Sequence, residues 1–222
     1  MACTCCAVRP TGLLLLPDYQ HMNNLLKRLA GTALLAVAML GGVAPAQAQN
    51  PTRKAEKINK KRSKALTEGS TYTKEQLKYD AEFAVAAASS NMLQVSLGKL
   101  AQQKAIVQEV KDWGKTMEQE HDAAEQKLEA ITVKNSLALP TMMSPEDRAI
   151  YDDVDDRKYL GFDKKYLRDL KELHERTVKR YAEAATKLAN PELLAYVTEM
   201  LPKLRAHESQ TAILFERANA LK

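Results

Sequence analysis

Three histidines of this 222-residue chain occupy positions where helices normally bury apolar side chains. They are His121, His174 and His207, and each falls on the apolar stripe of a different helical pattern. Neutral imidazole is a common ligand of Zn, Cu, Ni and Fe. Because a buried imidazole without a partner is costly, the three rings must either bind a metal or satisfy one another and their neighbours.

Further polar residues accompany the histidines and complete what we call the polar belt. Gln94 occupies the equivalent stripe position of the first helical pattern, so four helices each contribute one polar side chain at a similar level. The belt also includes hydroxyl residues one helical turn from these positions, namely Ser90, Thr177 and Thr211. Glu118 precedes His121 by three residues, which makes the two side chains neighbours on the helix and Glu118 the candidate carboxylate ligand.

Two interpretations of the polar belt are open at this point. In the first, one transition metal, with Fe, Zn and Cu as candidates, is bound by His121, His174, His207 and Glu118. In the second, the belt is a hydrogen-bonded network that fixes the packing register of a non-catalytic structural or stress-related protein. The sequence has no Ser/His/Asp nucleophile set and no Gly-rich phosphate loop, and its three cysteines, Cys3, Cys5 and Cys6, crowd the extreme N-terminus. We therefore favour a binding or structural protein over an enzyme.

Four long helical patterns position these residues. Apolar side chains recur at alternating spacings of four and three over about residues 74–104, 106–133, 156–189 and 190–222. This heptad-like period, in a chain with few aromatic residues, predicts an all-α four-helix bundle over residues 73–222. Short links join the first two patterns and the last two, which predicts two antiparallel hairpins.

The connection between the second and third patterns is long and covers about residues 134–156. It contains Ser144 followed by Pro145, which is a helix-start signal. A connection of this length can cross the bundle from end to end, as in ferritin-like folds. The alternative is a lid or a decorated turn at one end.

The N-terminal region has the features of an exported protein. Residues 22–48 contain a basic start, an apolar run and the small-x-small sequence Ala46-Gln47-Ala48, as in a cleaved secretory signal. The apolar run is shorter than the ~20 residues that a membrane span needs, so we expect no transmembrane segment after cleavage near Ala48. Residues 1–21 precede this signal, and we interpret them as an extension of the gene model upstream of Met22.

Residues 49–72 are polar and basic, and we expect them to form a flexible linker. Within this stretch, residues 51–64 hold seven Lys and Arg against Glu56 alone, which favours weak contact with an anionic surface of the cell envelope. Residues 65–222 are mildly acidic, so nothing indicates a nucleic-acid partner. The pattern does not indicate an oligomeric state.

Several motifs resemble one family of exported bacterial proteins. They are LGKLAQQKA at 97–105, the acid–histidine pair Glu120-His121 and LPKLRAH at 201–207. These runs are similar to the ferritin-like family known as domain of unknown function 4142, and the similarity extends over about residues 79–221. The resemblance implies a location in the periplasm or outer cell envelope, a ferritin-like bundle and no established activity.

The same resemblance carries the family's histidines over to His121, His174 and His207. Where the family usually has Glu on the first helix, this chain has Gln94, and the usual Asp before the helix-two histidine is Glu120. A di-iron site needs a Glu from each of two helices and Glu-x-x-His from the other two. The chain lacks that motif before His174 and His207, which argues against a di-iron oxidase.

Overall fold

The computed structural model describes residues 50–68 and 71–222. The signal segment expected at 22–48 and the extension expected at 1–21 lie outside the described residues. Within the described part the fold is all-α, with six helices and no strand. The helices are α1 (Pro51–Thr67), α2 (Lys74–Lys104), α3 (Gln108–Lys134), α4 (Pro145–Asp155), α5 (Tyr159–Lys187) and α6 (Pro191–Ala220). Among these helices, none combines the length and the apolar character that crossing a membrane requires.

Side-chain caps define where four of the described helices begin, among them α2, α4 and α6. Thr73 forms a capping box with Gln76 at the start of α2. Ser144 accepts from the backbone of Asp147 and Asn190 from that of Leu193, and a proline opens each of these helices. The helix-start signals read from the sequence at Ser144 and Asn190 are therefore confirmed.

The basic segment 49–72 differs from the flexible linker that the sequence analysis expects, because α1 occupies most of it. The helix packs on α2. Asn59 donates to the carbonyl of Ala138 and accepts from its N–H, at 2.9 and 2.8 Å. A stripe of small or short polar residues at helical spacing makes this docking possible, and it comprises Thr52, Ala55, Asn59 and Ser63, all buried. The charges of this segment favour a linker, whereas the stripe allows it to pack as a helix.

The long helices pack in sequence-adjacent pairs, α2 with α3 and α5 with α6, and the pairs meet through α2 with α5 and α3 with α6. Lys127 pairs with Glu199, and one heptad further along α3 Lys134 pairs with Glu192, one heptad earlier on α6. Helices α3 and α6 therefore run in opposite directions.

The connection from α3 to α5 runs the length of these helices. At its start, Asn135 accepts from the side chain of Asn190 in the α5–α6 turn, 2.7 Å away. Near its end, Asp163 in the first turn of α5 accepts from the N–H of Ile106 in the α2–α3 turn. Because those two turns lie at opposite ends of the long helices, the connection crosses from one end to the other and carries α4 on its way.

Two apolar clusters form the core, with the polar belt between them. On α3, Leu128 belongs to one cluster and Met117 to the other, and His121 lies between them. On α6, Leu204 and Leu214 belong to different clusters in the same way, on either side of the third histidine. The belt is thus an interruption in an otherwise apolar core.

Candidate metal centre

The three histidines come from α3, α5 and α6 and meet in the interior. His121, His174 and His207 are 1%, 0% and 4% exposed, which confirms their predicted burial. Their ring centroids are 5.4–6.3 Å apart. The rings of Trp113 and His207 pack edge to face, with their centroids 5.6 Å apart.

One ring nitrogen from each histidine lies within 4.8 Å of one from each of the others. In a tetrahedral zinc site with bonds of about 2.0–2.1 Å, the ligand nitrogens are roughly 3.3 Å apart. The ring nitrogens would have to move closer together to bind one ion. We call this cluster of His121, His174 and His207 the triad.

Asn91 holds Nδ1 of His121 by a hydrogen bond. Nδ1 of His121 lies 3.1 Å from Oδ1 of Asn91, and an amide oxygen can only accept, so Nδ1 carries the proton. Nε2 of His121 then has a free lone pair, and it has no hydrogen-bond partner within the described residues.

Glu120 does the same for His207, and Thr211 holds the ring of His174 through its hydroxyl, which can donate or accept. Nε2 of His207 donates to Oε2 of Glu120 at 2.8 Å, which leaves Nδ1 with the lone pair. Nδ1 of His174 lies 3.2 Å from Oγ1 of Thr211, and that hydroxyl also accepts from Trp113 at 3.1 Å. Nδ1 of His207 and Nε2 of His174 have no partner in the described part of the chain.

Burial keeps the three imidazoles neutral. Loss of hydration, with a smaller contribution from His207, lowers the pKa of His121 to about 3. Burial, reinforced by the other two rings, lowers the pKa of His174 well below its usual value. Burial also lowers the pKa of His207, although the Glu120 carboxylate opposes this effect. Neutral rings retain the lone pairs that metal binding needs.

The structure brings only part of the predicted belt to the triad. Thr211 contacts it directly, as described. Gln94 is fully buried and donates a long hydrogen bond, 3.4 Å, to Oγ of Ser90. Thr177 donates to the carbonyl of Leu173 in its own helix and has no hydrogen bond to the triad.

Glu118, the predicted fourth ligand, lies on another side of α3. Its carboxylate accepts from Gln102 at 2.6 Å and pairs with Lys99 at 3.8 Å, so it faces α2 near the surface. The carboxylate that reaches a histidine is Glu120, which faces α6. The ligand cluster in the described residues consists of the three histidines without Glu118.

Asn91 is the second important residue that the sequence reasoning missed. Its amide nitrogen donates to Glu125 at 3.0 Å and to the hydroxyl of Tyr196 at 3.4 Å, and that hydroxyl lies 3.3 Å from that of Tyr181. Burial is the main cause that raises the pKa of Glu125 to about 7. The only signal for Asn91 in the sequence is its position one helical turn before Gln94.

A groove of about 780 Å³ lies between α3 and α6. Its lining includes Trp113, Glu120, Met200, Lys203 and His207. His207 is therefore the triad member that lies at the groove. A second groove, of about 890 Å³, lies among α1, α2 and α4 and contains no histidine.

Fold and site together define an all-helical protein with a buried three-histidine cluster. The family model described as "Domain of unknown function (DUF4142)" matches residues 64–214. Since this match covers more than half of the chain, the protein belongs to that family, and the resemblance seen in its motifs is confirmed. No curated protein and no solved structure matches the chain.

Proposed function

We propose that this protein is an exported envelope protein that binds one transition metal through His121, His174 and His207. The observation that carries the proposal is that ring nitrogens of the three buried histidines lie within 4.8 Å of one another. Each ring also keeps one nitrogen without a hydrogen-bond partner in the described residues. Metal-binding histidines usually donate their second N–H to a carboxylate, carbonyl or water, which fixes the ring. Asn91 and Glu120 accept in this way, and Thr211 holds the third ring.

The donor set favours Zn or Cu over Fe. Imidazole suits all three metals, whereas non-haem iron sites typically add a carboxylate to the first coordination shell. Glu120 reaches the site only through His207, and Glu118 is turned to α2. The chain's role is then to hold or carry a metal, and we propose no catalytic step.

The scaffold that we propose is a ferritin-like four-helix bundle of two antiparallel hairpins, α2–α3 and α5–α6. Its support is the adjacent pairing of these helices and the end-to-end connection between α3 and α5. Ligand sites in such bundles are built from inward-facing side chains of several helices. The triad, with one residue from each of three helices, fits that arrangement.

Thermal melting of untagged protein with Zn, Cu or Fe(II) tests the metal proposal. A metal at a hundredfold excess over its Kd should add about 2.7 kcal/mol to the free energy of unfolding. A variant with all three histidines changed to Leu should lose this gain. If no metal raises the wild-type melting temperature, the belt is a packing network that sets register, which is the alternative function.

The envelope location that we propose rests on the signal-like residues 22–48. We also propose weak contact between α1 and an anionic envelope surface, because Lys54, Lys57, Lys61 and Lys64 are exposed on one helix with Glu56 as its one acidic residue. Mass spectrometry of the periplasmic fraction should find a mature N-terminus within about two residues of Gln49. Intact protein that begins at Met1 or Met22 would contradict export by cleavage.

A further inference from the structure

Gln94 is the belt residue whose role the triad does not explain. Its side chain is 0% exposed, and its carbonyl oxygen Oε1 has no hydrogen-bond partner within the described residues. Its amide nitrogen makes only the long hydrogen bond to Ser90. A buried carbonyl without a partner destabilises a fold, and a leucine of similar size would avoid that cost.

Buried atoms without partners concentrate at one level of the structure. Five side-chain atoms of the described residues share this condition, and four of them belong to Gln94 and the triad. These four come one each from α2, α3, α5 and α6. The fifth is the hydroxyl of Tyr166, about two turns from His174 on α5. Since native proteins satisfy nearly all buried polar groups, such a concentration indicates one shared ligand.

Contacts between the helices place Gln94 level with the triad. On α2 it lies one turn from Asn91, whose amide oxygen bonds the α3 histidine. Across to α5, Asp80 accepts from the N–H of Ala189. Along α2, Gln94 follows Asp80. Along α5, His174 precedes Ala189 by the same number of residues, to within one. The two helices therefore bring Gln94 and His174 to the same level.

We propose that Oε1 of Gln94 is the fourth ligand of the metal, so that four protein side chains close the site. This inference rests on the proposed function, since it needs a metal at the triad. Zinc sites with four protein ligands are structural, whereas catalytic sites keep one position for water or substrate. A closed site of three imidazoles and one amide oxygen suits a protein that holds a metal and performs no hydrolysis.

The test uses Co(II) as the metal and azide as an external ligand, in the untagged full chain. Visible absorption of bound Co(II) reports its coordination. Wild type should bind Co(II) with an intense four-coordinate spectrum that azide leaves unchanged. In Gln94→Ala, Co(II) binding should weaken about tenfold or more, and azide should now shift the spectrum. Gln103→Ala, an exposed glutamine on the same helix, is the matched control and should behave as wild type.

Gln94→Leu keeps the volume of the side chain and guards against a variant that fails to fold. It should raise the metal-free melting temperature, because an unpaired carbonyl is removed, and it should weaken Co(II) binding as Gln94→Ala does. A wild-type spectrum that shifts with azide, or variants that bind Co(II) as tightly as wild type, would overturn the fourth ligand while leaving the triad site intact. Absence of Co(II) binding in wild type would overturn the triad site itself.

Discussion

Single hydrogen bonds decide which ring nitrogen of His121 and of His207 keeps its lone pair. Asn91 accepts from Nδ1 of His121, and Glu120 accepts from Nε2 of His207. Each bond fixes the tautomer and leaves the opposite nitrogen with its lone pair. Under the proposed function, residues outside the triad thus orient two of its rings for the metal.

Glu120 gives the first prediction at this scale. Glu120→Gln keeps the shape of the side chain but removes the charge that makes His207 a stronger donor, so metal affinity should fall about 10- to 100-fold. Glu118→Gln is the matched control, because Glu118 faces Gln102 on α2. This variant should bind the metal with the affinity of wild type. Calorimetric titration with Zn measures both. Equal losses in the two variants would show that the carboxylates act only through general charge.

His174 gives a prediction about pH in the metal-free protein. Its pKa is low in the folded state because of burial, and it is about 6.5 in the unfolded chain. Below pH 6.5 the unfolded chain therefore binds a proton that the folded protein does not, and the free energy of unfolding falls as pH falls. From pH 7.5 to pH 5 this should cost about 2 kcal/mol.

His174→Leu removes that contribution and leaves the other titrating groups in place. Urea unfolding with a chelator present, at pH 7.5 and pH 5, should therefore show a smaller acid loss in His174→Leu than in wild type. An equal loss in both proteins would mean that His174 is protonated in the folded state.

The burial of the triad could be predicted from the sequence, but its partners could not. Stripe spacing fixes the angle of a residue around its own helix, so His121, His174 and His207 were correctly placed in the core. The stripe does not say which neighbouring helix lies on either side of it, because that depends on tertiary packing. For that reason Glu118 was expected at the site, although it faces α2, and Glu120, which faces α6, received no role.

At the scale of helices, α2 and α3 approach so closely that glycine is required at their crossing. A Cβ on Gly98 would lie 2.5 Å from the carbonyl oxygen of Gly114 and 2.8 Å from the N–H nitrogen of Glu118. Both obstacles are backbone, so neither can rotate away. This close approach brings Asn91 on α2 within reach of His121 on α3.

Alanine substitutions test the crossing. Gly98→Ala should lower the free energy of unfolding by about 1–3 kcal/mol, because overpacking outweighs the gain in helix propensity. Gly161→Ala in α5, where a Cβ would meet nothing within 4 Å, should raise it by about 1 kcal/mol at most. Thermal or urea unfolding gives both values. A stabilised Gly98→Ala would show that the helices are further apart.

The docking of α1 gives a second prediction at the scale of helices. Asn59→Ala would leave the N–H and carbonyl of Ala138 without their partner, so the free energy of unfolding should fall by about 1–3 kcal/mol. Lys57→Ala, on the exposed face of the same helix, should change it little. If Asn59→Ala unfolds at the wild-type urea midpoint, α1 is not docked and the original expectation of a linker is correct.

For the whole molecule, periodicity was sufficient to predict an all-α chain and the four long helices. It could not decide the path of the long connection, because residues 135–144 carry no periodic pattern. The contact of Asn135 with Asn190 at one end and of Asp163 with Ile106 at the other supplies that information. Helix α1 was not predicted either, because basic residues dominate this segment and the buried stripe consists of small or short polar residues.

The central claim is that three histidines from three helices bind one metal. X-ray absorption spectroscopy of the zinc-loaded, untagged protein tests it most directly, since imidazole rings give a distinct multiple-scattering pattern. We predict one zinc per chain with nitrogen and oxygen ligands at about 2.0–2.1 Å, of which three are imidazoles. A zinc with fewer than three imidazoles, or with sulfur at about 2.3 Å, would contradict the account.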